Sequence, residues 1–216
     1  MKLKASFALV ASSLVLAASQ ASATTLTFEN LAAGTTLSNQ YAALGATFSA
    51  NAFTGPGTST SGKPWSALTD MTIVSSTGAD VGGLGTPAGL VSGNILHSFS
   101  GWLAETDGDP SFKITFSGLV TGFSVAFAGV STAVDVTVYS YNGATLVNTV
   151  SGSSTGQFVL SYAGPLTSVA IRPGSYNDWV GVDNVSYTLA PVPEASTYAM
   201  MGAGLALLAF RRRKIA

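Results

Sequence analysis

The central region of this sequence predicts an all-β fold, an antiparallel β-sandwich, and three observations lead there. Apolar and polar residues alternate with period two in runs rich in Val, Ile, Thr, Phe and Tyr. The runs are short and separated by residues that punctuate strands, in a chain with 24 Gly and 8 Pro. No stretch between the two ends of the chain shows a helical period. Many short strands at close spacing pack as two antiparallel sheets over one core.

In chain order, Met1–Ala23 reads as a secretory signal peptide. Lys2 and Lys4 form its positive start and Ala5–Ala18 its apolar stretch. Ala21-Ser22-Ala23 fits the small-residue rule for signal peptidase, making Thr24 the first mature residue. The predicted strands then begin with Leu26–Glu29, Ala46–Ser49, Met71–Val74, Ile95–Ser100 and Ser111–Ser117. They continue with Gly122–Ala128, Val134–Tyr141, Thr145–Val150, Gln157–Ser161, Thr167–Arg172 and Val180–Leu189. Tyr141-Asn142-Gly143-Ala144 sets Asn-Gly between two strand-like runs, a strong hairpin signal. Asn51–Gly93 carries one predicted strand among Gly, Ser, Thr and Pro, so it reads as a long excursion at one end of the sandwich. Residues 24–190 therefore form one domain, large enough to bury a substantial core.

Charge and cysteine content narrow the function classes. Between Thr24 and Ala190 three basic residues, Lys63, Lys113 and Arg172, stand against nine acids, a net charge of −6. No basic patch exists to neutralise phosphates, which argues against nucleic acid as a partner. The chain has no Cys, so disulfides, thiol nucleophiles and cysteine metal sites are excluded. The mean hydropathy of +0.41 is raised by the two terminal segments.

Residues 191–216 have three parts in a fixed order. Val192-Pro193-Glu194 is a short motif, Ala195–Phe210 is an uncharged apolar run, and Arg211-Arg212-Arg213-Lys214 is a basic stop-transfer cluster. As a transmembrane helix the run spans about 24 Å, short against a hydrocarbon core of about 30 Å. This order resembles the PEP-CTERM sorting signal, which an exosortase recognises in exopolysaccharide-producing Gram-negative bacteria. The resemblance implies export, an inner-membrane intermediate, processing near Pro193-Glu194, and release to the cell surface or extracellular matrix. Where that family has Pro-Glu-Pro, this chain has Ala195 in third place. An ordinary C-terminal anchor is the competing reading.

Two stretches of the central domain carry a second resemblance. Thr27-Phe28-Glu29-Asn30-Leu31, with Leu44-Gly45-Ala46-Thr47-Phe48 after it, opens the domain. Trp179-Val180-Gly181-Val182-Asp183-Asn184-Val185-Ser186-Tyr187 closes it. Together they look like the jelly-roll domains of many PEP-CTERM proteins, similar to galactose-binding-like and carbohydrate-binding sandwiches. The resemblance implies that Glu29, at the end of the first strand, and Asp183, in the last, are candidates for a structural calcium site. Calcium takes six to eight oxygens, so carbonyls or water must complete the set. The alternative is that both acids are solvated or bonded to loop amides.

Other constellations carry less. Glu105-Thr106-Asp107-Gly108-Asp109 has alternating acids and a Gly but lacks the length of a calcium-binding loop; it reads as a solvated turn. His97, the single histidine, lies in a predicted strand without a nucleophile-elbow pattern, so it reads as structural. Gly82-Gly83-Leu84-Gly85 lacks the Lys and helix of a phosphate cradle. Trp65 and Trp102 are candidates for stacking on sugar rings, with core packing as the competing role for each, and for Trp179 as well. These readings predict a non-enzymatic, exported surface protein with a carbohydrate-binding module for extracellular polysaccharide. A purely structural biofilm or envelope protein is the alternative, and a glycoside hydrolase a third reading.

Overall fold

A computed structural model describes residues 21–50, 67–68, 71–77, 90–98, 108–109, 111–128, 134–154, 157–173, 180–191 and 199–205. The chain divides into two units, Ala21–Ala190 and a second made of Met1–Gln20 with Pro191–Ala216. In the second unit the described stretch 199–205 is helical. Among the described residues no helix is long and apolar enough to cross a membrane. The predicted signal peptide lies almost wholly outside them.

Ala21–Ala190 is an antiparallel β-sandwich. Its strands are β1 (Ala23–Leu26), β2 (Ala46–Ala50), β3 (Ala67–Leu68), β4 (Thr72–Ser75), β5 (Asn94–Ser98) and β6 (Gly108–Asp109). The rest are β7 (Phe112–Ala128), β8 (Val134–Asn142), β9 (Thr145–Ser154), β10 (Gln157–Pro173) and β11 (Val180–Leu189). The main order is β4-β5-β11-β7-β10-β8-β9, with β1 on β11 and β2 on β7. The two longest strands, β7 and β10, serve both layers. Their halves Phe112–Phe116 and Ser168–Ile171 join β2, β8 and β9, whereas Gly122–Ala128 and Gln157–Ala163 lie with β11. Register breaks in β10 around Leu166 mark the bend, and Pro165 sits in that irregular stretch, where a missing N–H is tolerated.

The sequence pattern divides each long strand in two, at Gly118 and near Gly164. Each runs on as one strand through its bend, where the β7–β10 pairing lapses after Ala163 opposite Gly122, touches at Leu166 opposite Val120, and resumes at Ser168 opposite Thr115. Other elements differ by a few residues. The first strand is Ala23–Leu26 rather than Leu26–Glu29, since Phe28 takes a left-handed φ of 58° and turns the chain. The Asn-Gly hairpin forms, but Asn142 pairs with Thr145 and the loop is Gly143-Ala144, with positive φ at Gly143 alone. That is the type II′ pattern rather than an Asn-Gly type I′ turn. Gly108-Asp109, read as part of a turn, pairs in parallel with Ala67-Leu68.

The core lies between the layers, built from the inward face of each strand. Phe28, Phe112, Phe127, Ile114, Leu166 and Ile171 are among its fully enclosed side chains. Phe28 meets Tyr41 and Phe48 edge-on at 5.8 and 6.1 Å, and Phe116 meets Tyr187 at 4.9 Å. Phe48 comes from the β2 layer and Tyr187 from β11, so these rings tie the layers together.

Candidate functional site

Two backbone irregularities build the first site. Phe28 turns out of β1 in the left-handed region, buries its ring and leaves Glu29 beside Asn94 at the start of β5. In β11 the register with β7 breaks between Asp183 and Ser186, and Asn184 takes φ 48°. A bulge re-aims side chains, and here Asp183 is only 2% exposed although Val182 and Val185 on either side face the core.

The segment 90–94 is fastened over both carboxylates. Ser92 N donates to Asp183 Oδ2 at 3.2 Å and Asn94 N to Glu29 Oε1 at 3.1 Å. Asn184 N donates to Asp183 Oδ1 at 2.6 Å, and Asn184 Nδ2 to the Leu90 carbonyl at 2.7 Å. Gln157 Oε1 accepts from Leu90 N and Val91 N at 2.6 and 3.2 Å. Gly93 has φ +65°, and a Cβ there would overlap the Glu29 carboxylate, so only glycine lets the backbone pass so close.

Burial pushes the Asp183 carboxyl up to about 6; the amides of Asn184 and Ser92 pull it back, and the negative charge of Glu29 adds to the rise. Burial also raises the Tyr41 hydroxyl, helped by the charge of Asp183, while that hydroxyl donates to Asn30 Oδ1 at 2.6 Å.

Glu29 and Asp183 both lie under segment 90–94, and each bonds a loop amide, as the alternative in the sequence reading had it. The donors are all oxygen, the chemistry of a hard cation, and among the described residues no hydrogen bond reaches Glu29 Oε2. No third His, Cys, Asp or Glu joins them among the described residues. A calcium ion there would be held by Glu29 and Asp183 with carbonyl or water oxygens, and would neutralise two carboxylates that lack a cationic partner among the described residues. Sequence reasoning missed Gly93, Asn94 and Gln157. Gly93, just before β5, was a signal for a turn, but nothing local shows that it and Asn94 cover Glu29.

A second feature lies on the outer face of the β1-β11-β7-β10 layer. Register sets Thr25, Ser186, Ser124 and Ser161 opposite one another on four adjacent strands. Thr25 Oγ1 and Ser186 Oγ share a hydrogen bond of 2.7 Å. The next row is Ala23, Thr188, Gly122 and Ala163. These small residues floor an open trough of about 310 Å³ with no charged residue in its lining. Serine and glycine in strands read as spacers in a sequence, so only pairing register shows that they converge.

The other predicted site residues are placed as follows. His97 is buried in β5, opposite Thr72 and Gly181, as a sheet-interior residue. Trp65 and Trp102, the motif Val192, Pro193 and Glu194, and the cluster Arg211, Arg212, Arg213 and Lys214 all lie outside the described residues. So do Trp179, Glu105, Asp107 and Gly82–Gly85.

Residues 191–214 match the PEP-CTERM protein-sorting motif, a span that takes in Val192-Pro193-Glu194 and Arg211–Lys214. The motif implies export and a membrane-anchored intermediate. Among curated proteins no relative was found. Among solved structures, the chain is similar to the K2 cleaved adhesin domain of Lys-gingipain, with 16% identity, a TM-score of 0.45, and 78% of this chain and 100% of that one covered. It is also similar to TmCBM61 in complex with beta-1,4-galactotriose, with 15% identity, a TM-score of 0.36, and coverage of 58% and 88%. Likeness at these TM-scores says nothing about a ligand of this chain.

Proposed function

We propose that this is an exosortase-processed protein of the cell surface or extracellular matrix whose sandwich is a non-enzymatic module for neutral polysaccharide. The sorting motif over residues 191–214 supports the address. The trough over Gly122, Ser124, Ser186 and Thr188 supports the ligand class. Its exposed lining is mostly apolar, with the hydroxyls of Ser124, Ser161, Ser186 and Thr188 among it and no charged side chain, a surface suited to the apolar faces and hydroxyls of a neutral sugar. No side chain of the lining supplies a counter-charge for a carboxylate or phosphate; once Ala23 leaves with the predicted signal peptide, the α-amino group of Thr24, opposite Tyr187, is the charge beside it. In this reading calcium at Glu29 and Asp183 is structural: it braces segment 90–94 against β11 and takes no part in ligand contact. Trp65 and Trp102 remain proposed glycan contacts.

A glycan array probed with the labelled protein tests the ligand class. Binding to neutral hexose polymers, reduced by Gly122→Leu, is the expected result. An added Cβ at Gly122 meets nothing within 4 Å, so a side chain can start from this position on the trough side; an unchanged urea midpoint of the variant checks that the fold is kept. Binding confined to uronic-acid polymers would refute the assignment.

One observation favours the second reading, a structural biofilm or envelope protein. Strand β9, TLVNTVSGSS, pairs only with β8 among the described residues and has neither charge nor proline. Such an edge accepts another strand readily. Self-association that Val147→Lys abolishes, with no glycan bound, would establish that reading.

A further inference from the structure

Among the described residues the sandwich has a leucine-bearing end without charged side chains, and it is the end at which Ala190 closes the last strand pairing. Leu44 is 49% exposed and Leu119 40% exposed. Both lie at the bend of β7. Leu189 fits between Gly45 and Gly118, where added Cβ atoms would stand 2.9 and 3.8 Å from its side chain. Tyr187 OH donates to the Leu44 carbonyl at 2.7 Å. The β8–β9 hairpin adds exposed Leu146 and Val147 at the same end, tied there by Gly143 N donating to Thr167 Oγ1 at 2.9 Å. The segments that meet here, 42–46, 117–122, 142–147, 164–167 and 187–191, contain no Asp, Glu, Lys or Arg.

The last backbone hydrogen bond of the sandwich, Ala190 N to the Leu119 carbonyl at 2.6 Å, fixes the point of departure on this surface. From Ala190 to Ala195, where the apolar run begins, the chain reaches at most about 17 Å. The run itself is shorter than a hydrocarbon core, so its flanks are drawn inward or the bilayer thins. The interfacial layer takes up about 5–7 Å of that reach. While the sorting segment is inserted, the sandwich therefore has little room to stand clear of the lipid.

We infer that the Leu44–Leu119–Leu189 end is a membrane-facing surface, seated on the lipid headgroups by the short tether during the anchored stage. The inference rests on the sorting reading of the tail and is independent of any glycan. The described segments at this surface carry no charged side chain, so the contact is apolar burial in the interface, with the α-amino group of Thr24, opposite Tyr187, as the charge nearest to it.

Because the chain has no Cys, one introduced cysteine gives one label. Leu119→Cys reports the proposed surface. Val159→Cys, opposite Ala126 and about 20 Å further along β7, reports the sandwich away from it, and Leu205→Cys reports the tail. The full-length protein is reconstituted in phosphatidylcholine vesicles carrying a headgroup nitroxide or an acyl-chain nitroxide. The headgroup quencher should quench the Leu119 label several-fold more than the Val159 label. A Gly-Ser insert of about twenty residues after Ala190, with an r.m.s. span of about 25 Å, should bring the two labels to the same level.

Equal quenching without the insert, or unchanged Leu119 quenching with it, overturns the inference. So does quenching at Leu119 that needs the processing enzyme in the vesicle, because the surface then belongs to that protein. A Leu205 label that escapes the acyl-chain quencher overturns the tail reading and the inference with it. Leu205 quenched with Leu119 unquenched overturns the inference alone.

Discussion

Replacing Asp183 by Asn should remove a specific pH dependence of stability. The carboxyl has a folded-state value of about 6 against an ordinary 3.8, raised first by burial. The folded state therefore holds this proton more tightly than the unfolded chain does. Protonated Asp183 is compatible with its buried place, and the ionised form is disfavoured there. Its favourable contribution is complete below about pH 4 and declines as pH rises to about 6, a loss of about 3 kcal/mol. The side-chain amide of the Asp183→Asn variant keeps an oxygen for Asn184 N but turns an NH₂ toward Ser92 N. That costs about 1–3 kcal/mol at every pH and leaves the slope alone.

Urea midpoints of both proteins, taken in chelator across that range, isolate the effect as a difference. The wild type should lose about 3 kcal/mol relative to the variant between about pH 4 and pH 7. Calcium reverses the trend, because it binds the ionised form: at a hundredfold excess over Kd it adds about 2.7 kcal/mol, to the wild type only and mainly above pH 6. Parallel profiles in chelator would refute the burial argument. Equal responses of the two proteins to calcium would refute the proposed cation site.

Other substitutions test single links of the argument. Gly93→Ala should lower the urea midpoint more than Gly34→Ala: both glycines have positive φ, but only at Gly93 does the new Cβ meet the Glu29 carboxylate. The expected extra cost is above about 1 kcal/mol. Phe28→Ala removes a ring with no exposed surface that meets Tyr41 and Phe48, and should cost about 3–5 kcal/mol in the same assay. Val147→Lys, on an exposed edge position, should leave stability within about 0.5 kcal/mol; a larger loss would mean that β9 packs against another part of the protein.

The fold class and most strands were legible because burial writes a period-two pattern, which the C-terminal part of β11, Val185 to Thr188, follows cleanly. What sequence could not show was continuity through the bends. Gly118, Gly164 and Pro165 look like breaks in isolation, and only pairing on both flanks carries β7 and β10 through them. The pairing of Glu29 with Asp183 as a candidate site came from a family likeness, not from any local pattern. The cover that fixes both, segment 90–94 with Gln157, joins residues more than sixty positions apart and leaves no local mark. The hydroxyl trough was hidden for the same reason: Ser124, Ser161 and Ser186 are unremarkable one at a time and become a surface only in register.

The central claim, a sandwich that holds neutral polysaccharide in that trough, is tested most directly by affinity electrophoresis. The wild type and Gly122→Leu run side by side in gels cast with the extracellular polysaccharide of the producing cells, with calcium present. The account predicts retardation of the wild type and free migration of Gly122→Leu. Free migration of both, or equal retardation of both, would contradict it.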